Sequence, residues 1–121
     1  MEVKGIAFCG IRTSKFAEME WLFGEVMGMT PTQRDAEMLI WRLPDGALVE
    51  VFAKDDPEHQ HFGTAPVVGF LVDDVKRSLA ELEAAGVKLI GDLTDLGDRG
   101  YAFFEGPDGN VYELTGPLTS N

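Results

Sequence analysis

The sequence predicts an α+β domain built from two tandem βαβββ modules, and three observations carry that prediction. One phrase occurs twice: Pro44-Asp45-Gly46-Ala47-Leu48-Val49-Glu50-Val51-Phe52, then Pro107-Asp108-Gly109-Asn110-Val111-Tyr112-Glu113-Leu114-Thr115. Each copy is a turn leading into a short strand, with a glutamate at the fourth place after the glycine. Two helical patterns each end at a glycine, Gly28 and Gly86. The order of strand and helix patterns also repeats on either side of one polar stretch.

The elements follow in order. Val3 to Ile11 alternates as a strand. Ser14 to Met27 has a helical stripe of Phe16, Met19, Leu22, Phe23 and Val26, with Ser14 placed to cap it and Gly28 to end it. Thr30–Arg34, Met38–Leu43 and Ala47–Phe52 read as strands. In the turn before the last of these, Pro sets φ, Asp bonds its own backbone and Gly supplies positive φ. The polar stretch Lys54–Thr64 is the linker-like segment. Val67–Val72 is again a strand, and Val75–Ala85 a helix capped by Asp74 with Val75, Leu79, Leu82 and Ala85 in phase. Strands near Val87–Leu93, Tyr101–Glu105 and Val111–Leu114 complete the second copy. Module one covers about 1–55, the linker about 54–65 and module two about 66–117. A module of about 55 residues is marginal alone, and pairing two shares a core.

The chain has 121 residues and a net charge of −11, from 21 acids and 10 bases. That balance argues against nucleic acid and against anionic membranes, and it permits attraction of cationic small molecules. No apolar run is long enough to span a bilayer, and Met1-Glu2-Val3-Lys4 does not resemble a signal peptide, so a cytoplasmic protein is expected. The single cysteine, Cys9, sits in an apolar strand and reads as a small core residue.

The two βαβββ modules, the helix endings Val-Met-Gly-Met and Ala-Ala-Gly-Val, and the closing Gly-Pro-Asp-Gly-Asn-Val-Tyr-Glu-Leu resemble the vicinal oxygen chelate superfamily. That group contains glyoxalase I, extradiol dioxygenases, fosfomycin-resistance transferases and bleomycin-binding proteins. The resemblance covers Val3 to Thr115. It implies a cup of curved sheet and, in enzyme members, a divalent metal held by a histidine from the first strand and a glutamate from the last strand of each module. Glu50 and Glu113 match the glutamates. Ile6 and Val67 stand where the histidines belong, and neither has a donor atom. The resemblance also implies a homodimer.

Strand alternation assigns the inward faces. Ile6, Phe8 and Gly10 share one, as do Val67, Gly69 and Leu71, Leu48, Glu50 and Phe52, and Val111, Glu113 and Thr115. Glu50 and Glu113 interrupt apolar strands, where an ionised group is costly without a partner or water. They are the candidate catalytic residues, as a pair whose carboxyl groups raise each other's pKa. Phe8, Trp41, Phe52, Tyr101 and Phe103 are candidate ligand contacts. So are His59 and His61, whose His-Gln-His spacing puts both rings on one side of an extended segment that folds over the cup or stays in solvent. Arg99 is a candidate anion contact, and Trp21 reads as a core or dimer-contact residue.

Two functions compete. One is a protein without cofactor that holds a small cationic or aromatic compound in an acidic, apolar cup, as bleomycin-resistance proteins do. The other is an enzyme, a lyase, isomerase or dioxygenase with a weakly bound divalent metal on Glu50 and Glu113. Two carboxylates suit Mg²⁺ or Mn²⁺ better than Zn²⁺. No phosphate loop, nucleophile elbow or Cys-X-X-Cys motif supports nucleotide-driven or covalent chemistry.

Overall fold

In the computed structural model, which describes residues 1–63 and 65–118, each Pro-Asp-Gly turn closes as its residues require. Gly46 and Gly109 take φ of 90° and 82°, a region costly for residues with a Cβ. The Asp45 carboxylate accepts the Ala47 N–H at 2.9 Å and Asp108 accepts the Asn110 N–H at 3.0 Å. Each glycine N–H also returns to the carbonyl three residues back, Leu43 or Gly106, at 2.9 Å. Thr64, the last residue of the polar stretch, lies outside the described residues.

The chain divides into two compact units, Phe8–Val67 and Met1–Ala7 with Val68–Asn121. In the first unit lie β1 (Val3–Thr13) from Phe8 onward, α1 (Phe16–Glu20), a π-helical segment (Trp21–Val26), β2 (Thr30–Arg34), β3 (Met38–Arg42) and β4 (Leu48–Ala53). The strand order is β2-β3-β4-β1, with β1 parallel to β4 and the other pairs antiparallel. A parallel pair needs a long crossover, and the helix and the β2–β3 hairpin supply it.

The single helix expected from Ser14 is instead two pieces. Helix α1 starts at Phe16 after Lys15, which makes no side-chain cap. Thr13 Oγ1, not Ser14, accepts the Lys15 N–H at 3.0 Å. Beyond Glu20 the backbone widens, and the Met27 N–H reaches back five residues to the Leu22 carbonyl at 2.9 Å. Gly24 and β-branched Val26 both hold an α-helix poorly. The core of this unit is Leu39, Trp41 and Val51, with Phe16, Met19, Phe23, Met29 and Val49 against it.

The second unit carries β5 (Val67–Val72) from Val68 onward, α2 (Val75–Ala84), β6 (Lys88–Asp95), β7 (Arg99–Glu105) and β8 (Val111–Pro117). The order is β5-β8-β7-β6, with β5 parallel to β8 and the rest antiparallel. Asp74 caps α2 by accepting the Arg77 N–H at 3.0 Å, as expected, and Gly86 follows the helix with φ of 85°. Val72, Val75 and Leu114 form the core, covered by Leu79 and Leu82 of α2 and by Phe70, Leu93, Phe104 and Leu118. Strands β7 and β8 run further than their apolar patterns, because Gly100 pairs with Gly116 and Arg99 with Pro117. Two facing glycines leave no side-chain alternation to read. Among the described residues no helix is long and apolar enough to cross a membrane.

Candidate functional site

Glu50 is at the centre of the Phe8–Val67 unit's sheet. Its β4 row, Leu48, Glu50 and Phe52, is opposite Phe8, Gly10 and Arg12 in β1 and opposite Arg42, Ile40 and Met38 in β3. The carboxyl group is therefore flanked by a glycine and an isoleucine. It is half-buried, and among the described residues nothing hydrogen-bonds or ion-pairs with it. Burial pushes its pKa from the ordinary 4.5 up to about 7, because withdrawing water penalises the charged form.

Gly10 is required by what covers it. A Cβ there would fall 2.7 Å from the Phe8 ring and 2.9 Å from the Phe62 ring. The bare backbone lets both rings lie close over β1, beside Glu50. Phe62 belongs to the polar linker, which is a tied-down segment. The Arg12 guanidinium donates from Nε to the Phe62 carbonyl at 2.9 Å and from Nη1 to the Lys54 carbonyl at 2.7 Å. Asp56, buried, accepts the Glu58 N–H at 2.9 Å and meets His59 Nδ1 at 3.0 Å. Gln60 Nε2 donates to the Lys54 and Asp56 carbonyls at 2.8 Å.

The result places both linker histidines. His59 stacks on Phe52 with ring centroids 3.5 Å apart and planes 11° apart, and Phe62 meets Phe52 edge-on at 5.5 Å. His61 meets Phe62 edge-on at 4.9 Å. Burial, with His59 adding to it, lowers the His61 pKa. Phe52 is buried under the His59 and Phe62 rings, and Phe8 is buried as well. Arg12, Asp56 and Phe62 were not legible as site residues singly. The available signals were an arginine in the inward row of β1, an Asp-Pro turn and one phenylalanine in a polar stretch.

Trp41, expected among the ligand contacts, has an odd position in β3 that puts it on the opposite face from Ile40 and Glu50. There it is 2% exposed and meets Phe23 edge-on at 5.5 Å. Trp21, expected in the core or at a dimer contact, is 57% exposed. Cys9 is half-buried, and burial raises its thiol pKa.

The other unit carries Glu113, buried on β8 between Gly69 of β5 and Phe103 of β7. Thr115 follows in the same row beside Leu71 and Tyr101. Thr115 Oγ1 donates to the Gly100 carbonyl at 3.3 Å and lies 3.4 Å from Arg99 Nη2. Arg99 thus reaches a hydroxyl of its own sheet. Tyr101 and Phe103 meet edge-on at 5.9 Å.

The donor set does not fit a divalent metal. Beside Glu50 the strands present Gly10 and Ile40, which have no ligating side-chain atom. Among the described residues no three His, Cys, Asp or Glu side chains gather as a metal site would require.

Residues 5–114 match the family model described as Glyoxalase/Bleomycin resistance protein/Dioxygenase superfamily. Among solved structures, methylmalonyl-CoA epimerase from Mycobacterium tuberculosis is similar at a TM-score of 0.72 and 17% identity, over 96% of this chain and 89% of that one. The Mn(II)-bound glyoxalase from Novosphingobium aromaticivorans is similar at 0.74 and 18% identity, over 98% of this chain but 42% of that one. A glyoxalase/bleomycin resistance protein/dioxygenase superfamily member from Vibrio splendidus 12B01 is similar at 0.67 and 15% identity, over 95% and 99%. No curated protein sequence matches. At these identities the likeness is one of fold, which does not carry activity.

Proposed function

The chain belongs to the Glyoxalase/Bleomycin resistance protein/Dioxygenase superfamily, and from that premise we propose that it binds a small organic molecule whose cationic or hydrogen-bond-donating group meets the Glu50 carboxyl, without a transition metal. One observation carries the reading: Glu50 is held among apolar neighbours, with no partner among the described residues and a pKa of about 7. A donor brought by a ligand supplies what the fold withholds, worth about 1.5–3 kcal/mol for a hydrogen bond to a charged group. The net charge of −11 favours approach of cations. Sequestration of an aromatic cation is the form this reading takes. Titration of the wild type, Glu50→Gln and Glu113→Gln against shape-matched cationic, neutral and anionic aromatic compounds tests it. Preference for the cation, reduced about tenfold or more in Glu50→Gln, supports the reading; equal binding across the panel ends it.

A second reading rests on the same pKa. A carboxyl group near neutrality both takes and gives a proton, which suits a metal-independent isomerase. Solvent deuterium entering a bound carbonyl compound, and failing to enter with Glu50→Gln, would favour this over sequestration.

The proposal includes a cytoplasmic homodimer. Strand β2 is exposed along its length and, among the described residues, pairs only with β3, leaving an edge for a partner. Sedimentation at micromolar concentration checks the mass: a monomer would remove this part.

A further inference from the structure

On the other side of the Phe8–Val67 unit's sheet from Glu50, a cavity of about 410 Å³ opens between the helical segment and strands β2 and β3. Its lining includes Trp21, Gly24, Met29, Pro31 and Trp41, with Glu20 and Arg34 among the polar residues. The volume is within the range of small-molecule sites.

Three features single it out. The cleft adjoins the π-helical segment, whose wide turn sets Gly24 over Trp41. A Cβ built on Gly24 would sit 3.7 Å from Trp41 Nε1. Trp41 is 2% exposed, yet its indole N–H hydrogen-bonds to nothing among the described residues, and the nitrogen keeps some accessible surface. An indole N–H usually has a partner, from protein or water, and this one borders the cleft. Trp21 is 57% exposed and offers a free indole face. Finally, the Arg34 guanidinium holds Glu20 from Nε and Nη2 at 2.5 and 3.0 Å, which lowers the Glu20 pKa and fixes one wall.

We propose that this cleft is a second ligand site, separate from the Glu50 face, for a neutral planar aromatic molecule bearing a carbonyl acceptor. The acceptor receives the Trp41 indole N–H, and the ring lies against Trp21, Met29 and Pro31. A cation has no use for the N–H donor. Arg34 is already paired, and Glu20 and Glu25 together disfavour an anion.

The chain's two tryptophans both line the cleft, so their indole N–H resonances report on it directly. The test adds acetophenone to ¹⁵N-labelled protein, with ethylbenzene as the match lacking an acceptor. The expected result is a saturable downfield movement of the Trp41 indole signal with acetophenone and little with ethylbenzene. Trp21→Ala, an exposed change whose folding the amide spectrum verifies, should weaken binding about fivefold or more. Gly24→Ala, which places a methyl group over the N–H, should shrink the movement. Glu50→Gln should leave it unchanged, so failure of the Glu50 reading and failure of this one are distinct. No saturable movement up to 10 mM, equal movement with both compounds, or full movement in folded Trp21→Ala overturns the proposal. So does a Trp21 signal that moves with protein concentration and ignores acetophenone, which would assign the cleft to a second copy of the chain.

Discussion

The His59 imidazole lies flat on the Phe52 ring, with centroids 3.5 Å apart. This contact ties the linker to the strand that carries Glu50, two residues away. Asp56 orients the imidazole through Nδ1, and Arg12 holds both ends of the segment through backbone carbonyls. The linker thus packs against the strand that carries Glu50, whose pKa burial raises.

Replacing His59 by Ala removes the stack and exposes one face of Phe52. The expected cost is about 0.5–1.5 kcal/mol beyond the buried area. Amide exchange should quicken in residues 54–63, and the Glu50 pKa should fall toward its ordinary value. Urea unfolding and hydrogen exchange check the first two.

Gly10→Ala brings a methyl group within 2.7–2.9 Å of the Phe8 and Phe62 rings. Phe62 is 1% exposed and Phe8 5%, so neither ring has room to retreat cheaply. Overpacking of this kind costs about 1–3 kcal/mol. A denaturation midpoint equal to that of wild type would show that the rings do not lie over the glycine.

Glu50 also makes stability depend on pH. Its pKa is about 7 when folded against 4.5 ordinarily, so between these values the folded state binds more protons than the unfolded state. Stability contributed at this site is therefore full below pH 4.5, declines as pH rises, and is lost above pH 7. The difference amounts to at most about 3 kcal/mol, less where water screens the half-buried group. Because other groups titrate as well, the wild type minus Glu50→Gln difference is the quantity to follow. It should grow more unfavourable to the wild type from pH 4.5 to 7 and then level off.

Much of this was legible in the chain. The repeated turn needs positive φ at Gly46 and Gly109, and the backbone supplies it. Strand alternation put Phe8, Gly10, Leu48, Glu50 and Phe52 in one set of facing rows, as the register shows. The same alternation, counted from Ile40, sends Trp41 to the face away from Glu50. The broken helix was not legible because the Phe16–Val26 stripe suits α and π turns alike until Gly24 is weighed. The linker was hidden for a different reason. Its polar residues read as solvated, whereas Asp56, Gln60 and Arg12 spend their polarity on backbone groups of the linker itself.

A cation needs Glu50 ionised, so its affinity should rise about tenfold per pH unit below pH 7 and flatten above. Calorimetry across pH with an aromatic ammonium compound checks this. Proton release on binding should be greatest near pH 6 and absent in Glu50→Gln.

In the proposed function the half-buried Glu50 carboxyl, without a partner among the described residues, receives a ligand's donor. The most direct measurement is a ¹³C NMR titration of the Glu50 side-chain carboxyl, assigned by comparison with Glu50→Gln, with and without an aromatic cation. The expected result is a midpoint of about 7 in the free protein and a fall of about a unit or more when the cation binds. A midpoint between 4 and 5 in the free protein, the range of an exposed glutamate, or one that does not move with saturating cation, would contradict it.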